Sequence, residues 1–90
     1  MIARILDLKT LKKNPRLHRF CLQIVNEENR VLVSIYGLRF HSDERAIWPV
    51  QDAEHGITTG TVGPVLEAEL VREIEKMLTL GLHEGLVRLP

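Results

Sequence analysis

Residues 19–36 read RFCLQIVNEENRVLVSIY, so that two apolar runs flank the polar segment Asn26–Asn29. Runs rich in β-branched and aromatic residues on either side of a short polar segment are typical of a β-hairpin. If Asn26 faces Asn29, apolar residues of the two strands meet on one face of the pleat. The predicted pairs are Ile24–Val31, Leu22–Val33 and Phe20–Ile35 on that face, with Cys21–Ser34 and Arg19–Tyr36 on the other. The first three pairs are predicted to form the core of a sheet.

A second hairpin is predicted from Leu38 to Trp48, with the charged segment His41–Arg45 as its turn. Its first apolar residues occupy even positions, whereas those of the preceding strand occupy odd positions. Gly37 stands where this alternation changes, and we predict a bulge there that returns Phe40 to the core side. In the predicted register Leu38 pairs with Trp48, which places the indole ring in the core.

One helix is predicted between Pro64, which suits a first helical turn, and Gly81, which ends the helical pattern. Apolar residues spaced by three and four positions form a single stripe along this segment. The stripe consists of Leu66, Leu70, Ile74, Met77 and Leu78. It is predicted to pack on the sheet.

The remaining segments complete the predicted fold. Residues 2–8 are predicted to form a strand, residues 9–18 a connection with a turn at Asn14-Pro15, and residues 51–63 a long loop. Residues 82–90 are either a last turn of helix or a terminal strand. We therefore predict a single α+β domain over residues 1–90, in which a small antiparallel β-sheet of about four to five strands, with two consecutive hairpins, is packed by one C-terminal α-helix.

Charge is distributed unevenly along a chain whose net charge is zero, with 12 basic and 12 acidic residues. Residues 1–25 carry six basic residues and one acidic residue, a net charge of +5, and residues 26–90 carry six and eleven, a net charge of −5. A basic cluster dominates the first part: Lys9, Lys12, Lys13, Arg16 and Arg19. Such a cluster either contacts the phosphates of a nucleic acid or is a solvated loop that keeps the protein soluble. These five are the candidate nucleic-acid-binding residues.

Neither a catalytic site nor a bound metal or cofactor is predicted. Cys21 is the only cysteine, which excludes a disulfide within the chain and a zinc site built on several thiolates. None of the histidines stands at a spacing typical of metal ligands, and they are predicted to lie in exposed turns: His18, His41, His55 and His83. Residues 56–63 are rich in Gly and Thr and precede the helix, where an anion can bind, but they lack a Walker or dinucleotide motif. A flexible connection or a partner contact is predicted there.

The sequence also predicts a cytoplasmic protein without membrane contact. No stretch approaches 18 uninterrupted apolar residues, which a transmembrane helix requires. The first residues contain charges at short intervals and lack the apolar run of a signal peptide. Because the chain has a single cysteine and cannot form an internal disulfide, a reducing compartment is the simpler assumption.

Three short motifs follow one another in the predicted strands and helix. They are Gly37-Leu38-Arg39-Phe40, Ala46-Ile47-Trp48-Pro49, and Pro64-Val65 opening an acidic helix with Val71-Arg72-Glu73-Ile74. Over residues 2–80 this order resembles the SpoVG (stage V sporulation protein G) septation-regulator family. The resemblance implies a small sheet with a packed C-terminal helix, dimerisation through sheet edges, and sequence-tolerant DNA or RNA binding by a bacterial regulator. Members of that family tend to carry basic residues after the second motif, whereas Pro49 is followed here by an acidic segment, residues 50–55.

Two functions follow from these observations. The first is a non-enzymatic, SpoVG-like regulator of septation, cell division or sporulation that binds DNA or RNA through the basic cluster. The second is a protein–protein interaction adaptor or self-assembling module that meets a basic partner through acidic residues: Asp52, Glu54, Glu67, Glu69 and Glu73. A homodimer is predicted in both cases, because the core is small and at least one sheet edge is unprotected.

Overall fold

The computed structural model describes residues 1–48, 51–52, 57–58 and 64–89. A curled five-stranded antiparallel sheet is covered by one helix, which confirms the predicted fold class. The elements are β1 (Ile2–Leu11), β2 (Asn14–Val25), β3 (Val31–His41), β4 (Ala46–Trp48), β5 (Gln51–Asp52), β6 (Ile57–Thr58), α1 (Pro64–Leu80) and β7 (Gly85–Arg88). The strand order in the main sheet is β4-β3-β2-β1-β7, and β5 pairs with β6 in a separate two-stranded sheet. No helix in the described part of the chain is long and apolar enough to cross a membrane.

The core lies between α1 and one face of the main sheet. The predicted helical stripe is confirmed, since Leu70, Ile74 and Met77 are buried and Leu66 and Leu78 pack partly buried against the core. The sheet contributes buried residues from its three longest strands: Ala3, Ile5, Leu8, Phe20, Leu22, Leu38 and Phe40. Each of the three long strands therefore contributes apolar side chains that are buried together with those of the helix.

The helix ends where the sequence predicts it. Gly81 has a φ of 71°, and the backbone N–H of Leu82 donates to the carbonyl of Met77 at 2.9 Å. This left-handed residue followed by a six-to-one hydrogen bond is the Schellman arrangement, which satisfies a free carbonyl and reverses the chain. The segment after it forms β7 beside β1, which decides between the two alternatives for residues 82–90 in favour of a strand.

The first predicted hairpin is present, but its register differs from the predicted one by two residues. Ile24 pairs with Val33 and Leu22 with Ile35. In the turn the backbone N–H of Asn29 donates to the carbonyl of Asn26 at 3.0 Å, and the N–H of Asn26 donates to the carbonyl of Arg30 at 3.0 Å. The side-chain oxygen of Asn26 also accepts hydrogen bonds from the N–H groups of Glu28 (3.0 Å) and Arg30 (2.9 Å). Val31 and Val33, which are predicted to lie in the core, are both exposed, so this hairpin contributes less to the core than predicted.

The predicted bulge at Gly37 is confirmed. Tyr36 and Gly37 together oppose Cys21, since Leu22 pairs with Ile35 and Phe20 pairs with Leu38. Gly37 has a φ of 72°, a conformation that glycine adopts without the steric cost of a Cβ. The bulge changes the alternation of β3, so that Leu38 and Phe40 are buried against the helix.

The prediction of a connection over residues 9–18 is wrong, because β1 and β2 continue through it. The turn of this hairpin is formed by Lys12 and Lys13 alone. A bulge interrupts the alternation of apolar and polar residues in β1, so the sequence pattern does not indicate that the strand continues. At the bulge Asp7 and Leu8 together oppose Phe20, and Asp7 adopts a φ of 54°. Beyond the bulge the alternation resumes on the opposite parity.

The second hairpin is also displaced, by a single residue. Arg39 pairs with Trp48 and Phe40 pairs with Ile47. The sequence predicts Leu38 opposite Trp48 instead. A shift of one residue exchanges the two faces of a strand, so Ile47 faces the core and Trp48 is 48% exposed. The predicted burial of Trp48 is therefore wrong, whereas that of Phe20 and Phe40 is confirmed.

The edge strand β4 is held by the helix. The backbone N–H of Ile47 donates to Oε1 of Glu67 at 3.1 Å, and Arg45 in the preceding turn forms two hydrogen bonds with Glu75, at 2.8 and 3.2 Å. An edge N–H that is occupied in this way is not free to pair with another chain. The predicted long loop over residues 51–63 is interrupted by β5 and β6, and its other residues lie outside the described part of the chain.

Candidate functional site

The main sheet has two chemically different faces. Residues paired across neighbouring antiparallel strands point to the same side, so the pairing defines a helix face, covered by α1, and an open face on the opposite side. The charged residues that the strands present on the open face are Arg4, Lys9, Arg19, Arg39 and Arg88, together with Asp7 in the bulge of β1. Five positive charges therefore share this face with one carboxylate.

Three of these cations lie directly beside one another. Lys9 of β1 pairs with Arg19 of β2, and Arg19 pairs with Arg39 of β3. We call these three residues the cation row. Neighbouring antiparallel strands lie about 4.8 Å apart, and like charges placed opposite each other in a sheet are destabilising. All three side chains are exposed, and none of them forms an ion pair with a carboxylate of the described residues.

An aromatic side chain continues the cation row on the next strand. Arg39 pairs with Trp48 of β4, and the indole ring lies 4.8 Å from the ring of His41, tilted by 40°. Nearly half of Trp48 remains exposed. Tyr36, which belongs to the bulge of β3 on the same open face, is 67% exposed. The open face therefore presents cations and accessible aromatic rings together.

A depression of about 340 Å³ opens between the two bulges. It is lined by Asp7 and Lys9 of β1, Arg19 and Cys21 of β2, and Gly37 of β3. Two members of the cation row thus border a concave surface. The carboxylate of Asp7 is held there by a backbone conformation that non-glycine residues seldom adopt. The depression offers donors from the cations and an acceptor from Asp7.

The structure divides the five predicted basic residues into separate groups. Lys9 and Arg19 face each other in the cation row, whereas Lys12 and Lys13 form the turn at the tip of the β1–β2 hairpin. The guanidinium of Arg16 lies 3.6 Å from the carboxylate of Asp43, and the backbone oxygen of Arg16 accepts hydrogen bonds from the N–H and hydroxyl of Ser42. The basic cluster therefore lies on a paired hairpin and not on a loop.

Arg39 and Trp48, which continue the pairing of Lys9 and Arg19 across the open face, were not among the predicted site residues. Arg39 stands between Leu38 and Phe40, which are both buried, so strict alternation would have been enough to direct its side chain away from the core. The orientation of Trp48 could not be predicted from a local pattern, because it depends on the register of the second hairpin. The predicted contact between Arg19 and Tyr36 is absent from the pairing, in which Arg39 takes that place.

The histidines do not form a metal site in the described residues, which contain no group of three His, Cys, Asp or Glu side chains that could hold an ion. His18 is buried, contrary to the prediction of an exposed turn. Its Nδ1 lies 2.8 Å from the hydroxyl of Thr10 and its ring stacks on Phe40, with 5.8 Å between the centroids. Burial lowers the pKa of His18, because the charged imidazolium is poorly solvated there. Nδ1 of His83 lies 3.1 Å from the carbonyl oxygen of Leu8, and His55 lies outside the described residues.

The acidic residues of the alternative interface are partly engaged within the fold. Glu67 accepts the hydrogen bond from the edge of β4, and Glu69 pairs with Arg72 at 3.1 Å. Glu73 is half-buried on the side of the helix that faces Gly85. The side chains of Asp52 and Glu54 lie outside the described residues, as does the candidate anion-binding segment before α1 except for β6.

Comparisons with known proteins do not identify a family for this chain. No family model, curated protein or solved structure matches the chain. The resemblance to the SpoVG family, based on three short motifs, stays a prediction.

Proposed function

We propose that this protein is a small non-enzymatic regulator that binds nucleic acid through the open face of its sheet. The cation row is the observation that supports the proposal. Lys9, Arg19 and Arg39 are placed opposite one another at a cost to the pairing of their strands. A polyanion removes this cost, because its phosphates lie between the positive charges.

The distribution of acidic residues supports the same orientation. The helix carries Glu67, Glu69, Glu73 and Glu75 against Arg72 and Lys76, a net charge of −2, on the far side of the sheet. A phosphate backbone is therefore attracted to one side of the molecule and repelled from the other. Exposed cations that contact phosphates carry no sequence information, so we propose binding that tolerates many sequences, as the resemblance to SpoVG also implies.

Binding measured across a range of salt concentrations tests the proposal. Three phosphate contacts correspond to a slope of log K against log salt of about −2.7 for duplex DNA and about −2.1 for a single strand. The double variant Arg19→Gln/Arg39→Gln removes two of the contacts, so its slope should fall to about −1, with an equal loss of affinity for unrelated sequences.

The double variant Arg72→Gln/Lys76→Gln is the matched control, because both residues are exposed cations on the helix side. It removes the same two charges from the molecule without touching the cation row. If both variants weaken binding equally, net charge and not the open face governs affinity. Absence of binding to DNA and RNA at about 50 mM salt, where phosphate contacts are strongest, would reject the proposal and favour the protein adaptor.

We also propose that the functional unit is a homodimer. The outer edge of β7 has no strand partner among the described residues, and β1 pairs with β7 only from Ile2 to Ile5. Unpaired edges of this kind accept a strand from a second chain. Light scattering at micromolar concentration should give twice the mass of the chain, and a monomer mass would remove this part of the proposal.

A further inference from the structure

Resting on the proposed function, we infer that the nucleic acid bound by the open face is single-stranded, and that one of its bases stacks on Trp48. The inference comes from the position of Trp48 at the end of the cation row, opposite Arg39. Cations and an accessible aromatic ring on one surface are the two elements of single-strand binding: the cations follow the backbone, and bases stack on the ring.

Trp48 is placed as a stacking surface. The His41 ring lies 4.8 Å from the indole, and the short strand β4 that carries Trp48 is tied to the helix through Ile47 and Glu67. The ring is therefore held in position while nearly half of the residue stays accessible. A ring that is ordered before binding loses little conformational freedom when a base stacks on it.

The dimensions of the site disfavour a duplex. From Lys9 on β1 to Trp48 on β4 the row crosses three spacings between strands, about 14 Å before side chains are added. The major groove of B-DNA is about 12 Å wide and admits a helix or a two-stranded ribbon, so this face cannot enter it. Against a duplex the open face meets phosphates only, because the duplex bases are stacked on one another and are not available to Trp48.

Tyr36 supplies a second aromatic ring near the depression. It lies three residues before Arg39 along β3, about 10 Å away, and its neighbour Gly37 lines the depression together with Lys9 and Arg19. A strand that follows the cation row therefore passes one ring at its β4 end and another beside the depression. Both rings are too exposed to contribute much to the core.

The fluorescence of Trp48 tests the inference, because it is the only tryptophan in the chain. Oligothymidylate and oligouridylate of about 12 nucleotides, within the range of single-strand site sizes, should quench the emission, whereas a duplex of the same length should bind without comparable quenching. The two oligonucleotides also distinguish DNA from RNA as the preferred ligand. Trp48→Ala should weaken single-strand binding by about 10-fold and leave duplex binding unchanged. Trp48→Phe should retain most of the affinity.

Leu80→Ala is the control, since Leu80 is an exposed apolar residue at the end of the helix and away from the open face. It should bind both nucleic acids like the unchanged protein. Equal affinity for duplex and single strand, or single-strand binding that neither quenches the tryptophan nor depends on it, would overturn the inference and leave the proposed function intact. Failure of every nucleic acid to bind at low salt would overturn the proposed function itself.

Discussion

The helix face and the open face of the same sheet are built on opposite physical principles. On the helix face Phe20, Leu38 and Phe40 are buried against α1, and each contact lowers the free energy of the fold. On the open face strands β1, β2 and β3 bring cations into direct opposition, which raises the free energy of the fold. Since β2 and β3 contribute to both faces, the fold cannot separate the two effects. The difference indicates that the helix face determines stability, and it supports the proposal that the open face binds a ligand outside the chain.

The largest expected effect separates the two faces by stability. Phe40→Ala removes a fully buried ring and should lower the free energy of unfolding by about 3–5 kcal/mol. Tyr36→Ala removes an exposed ring from the other face of the same strand, and the change should stay within about 0.5 kcal/mol. Urea denaturation of both variants provides the measurement. Similar losses would show that the open face is packed as tightly as the helix face.

The next effect concerns pH and originates on the helix face. Because burial lowers the pKa of His18, the unfolded chain takes up a proton before the folded one as pH falls below about 6.5. The unfolded state then binds more protons, so stability decreases as pH falls, by at most about 1.4 kcal/mol per pH unit from this group. His18→Gln should give a flatter curve of unfolding free energy against pH below 6.5. Parallel curves for the two proteins would exclude His18 as the source.

An effect of similar size tests how the helix holds the edge of the sheet. Glu67→Ala leaves the N–H of Ile47 without its acceptor and should cost about 1–2 kcal/mol, measured by urea denaturation. Glu67→Gln keeps an oxygen acceptor and should recover most of that loss. Glu69→Ala is the control, because Glu69 forms only an exposed ion pair within the helix. If Glu67→Ala behaves like Glu69→Ala, the edge of β4 does not depend on the helix.

The smallest effect has the opposite sign and belongs to the open face. Arg19→Gln relieves repulsion from both Lys9 and Arg39 and should raise the free energy of unfolding by about 0.2–1 kcal/mol at low salt. Added salt should reduce this gain, since it screens exposed charges. Arg16→Gln, which loses an exposed pair with Asp43, should be neutral or slightly destabilising. A loss of stability in Arg19→Gln would mean that the cation row is not repulsive in the free protein.

Much of the helix face could be predicted from the sequence. The stripe of α1, the helix stop at Gly81 and the bulge at Gly37 each depend on local patterns that were read correctly. The candidate site was predicted in part: Lys9 and Arg19 belong to it, whereas Arg39 and Trp48 were missed. The physical reason is that side chains on a sheet alternate with a period of two, so an error of one residue in pairing moves a side chain to the wrong face. The register of β4 moved Trp48 to the open face in this way. The first hairpin is shifted by two residues, which changes the partners of its residues and not their faces.

The sequence by itself determined the helix and most of strands β1 to β4, because apolar periodicity and turn residues act over a few neighbouring positions. The continuation of β1 and β2 through residues 9–18 was not evident from it. It also determined the accumulation of positive charge in residues 1–25. Only the tertiary structure decided that Lys9, Arg19 and Arg39 lie side by side with Trp48 at their end. That arrangement depends on two bulges and on the pairing of four strands, which bring together residues as many as 39 positions apart. Long-range pairing of this kind leaves no local signal in the chain, and it is what turns scattered basic residues into one surface.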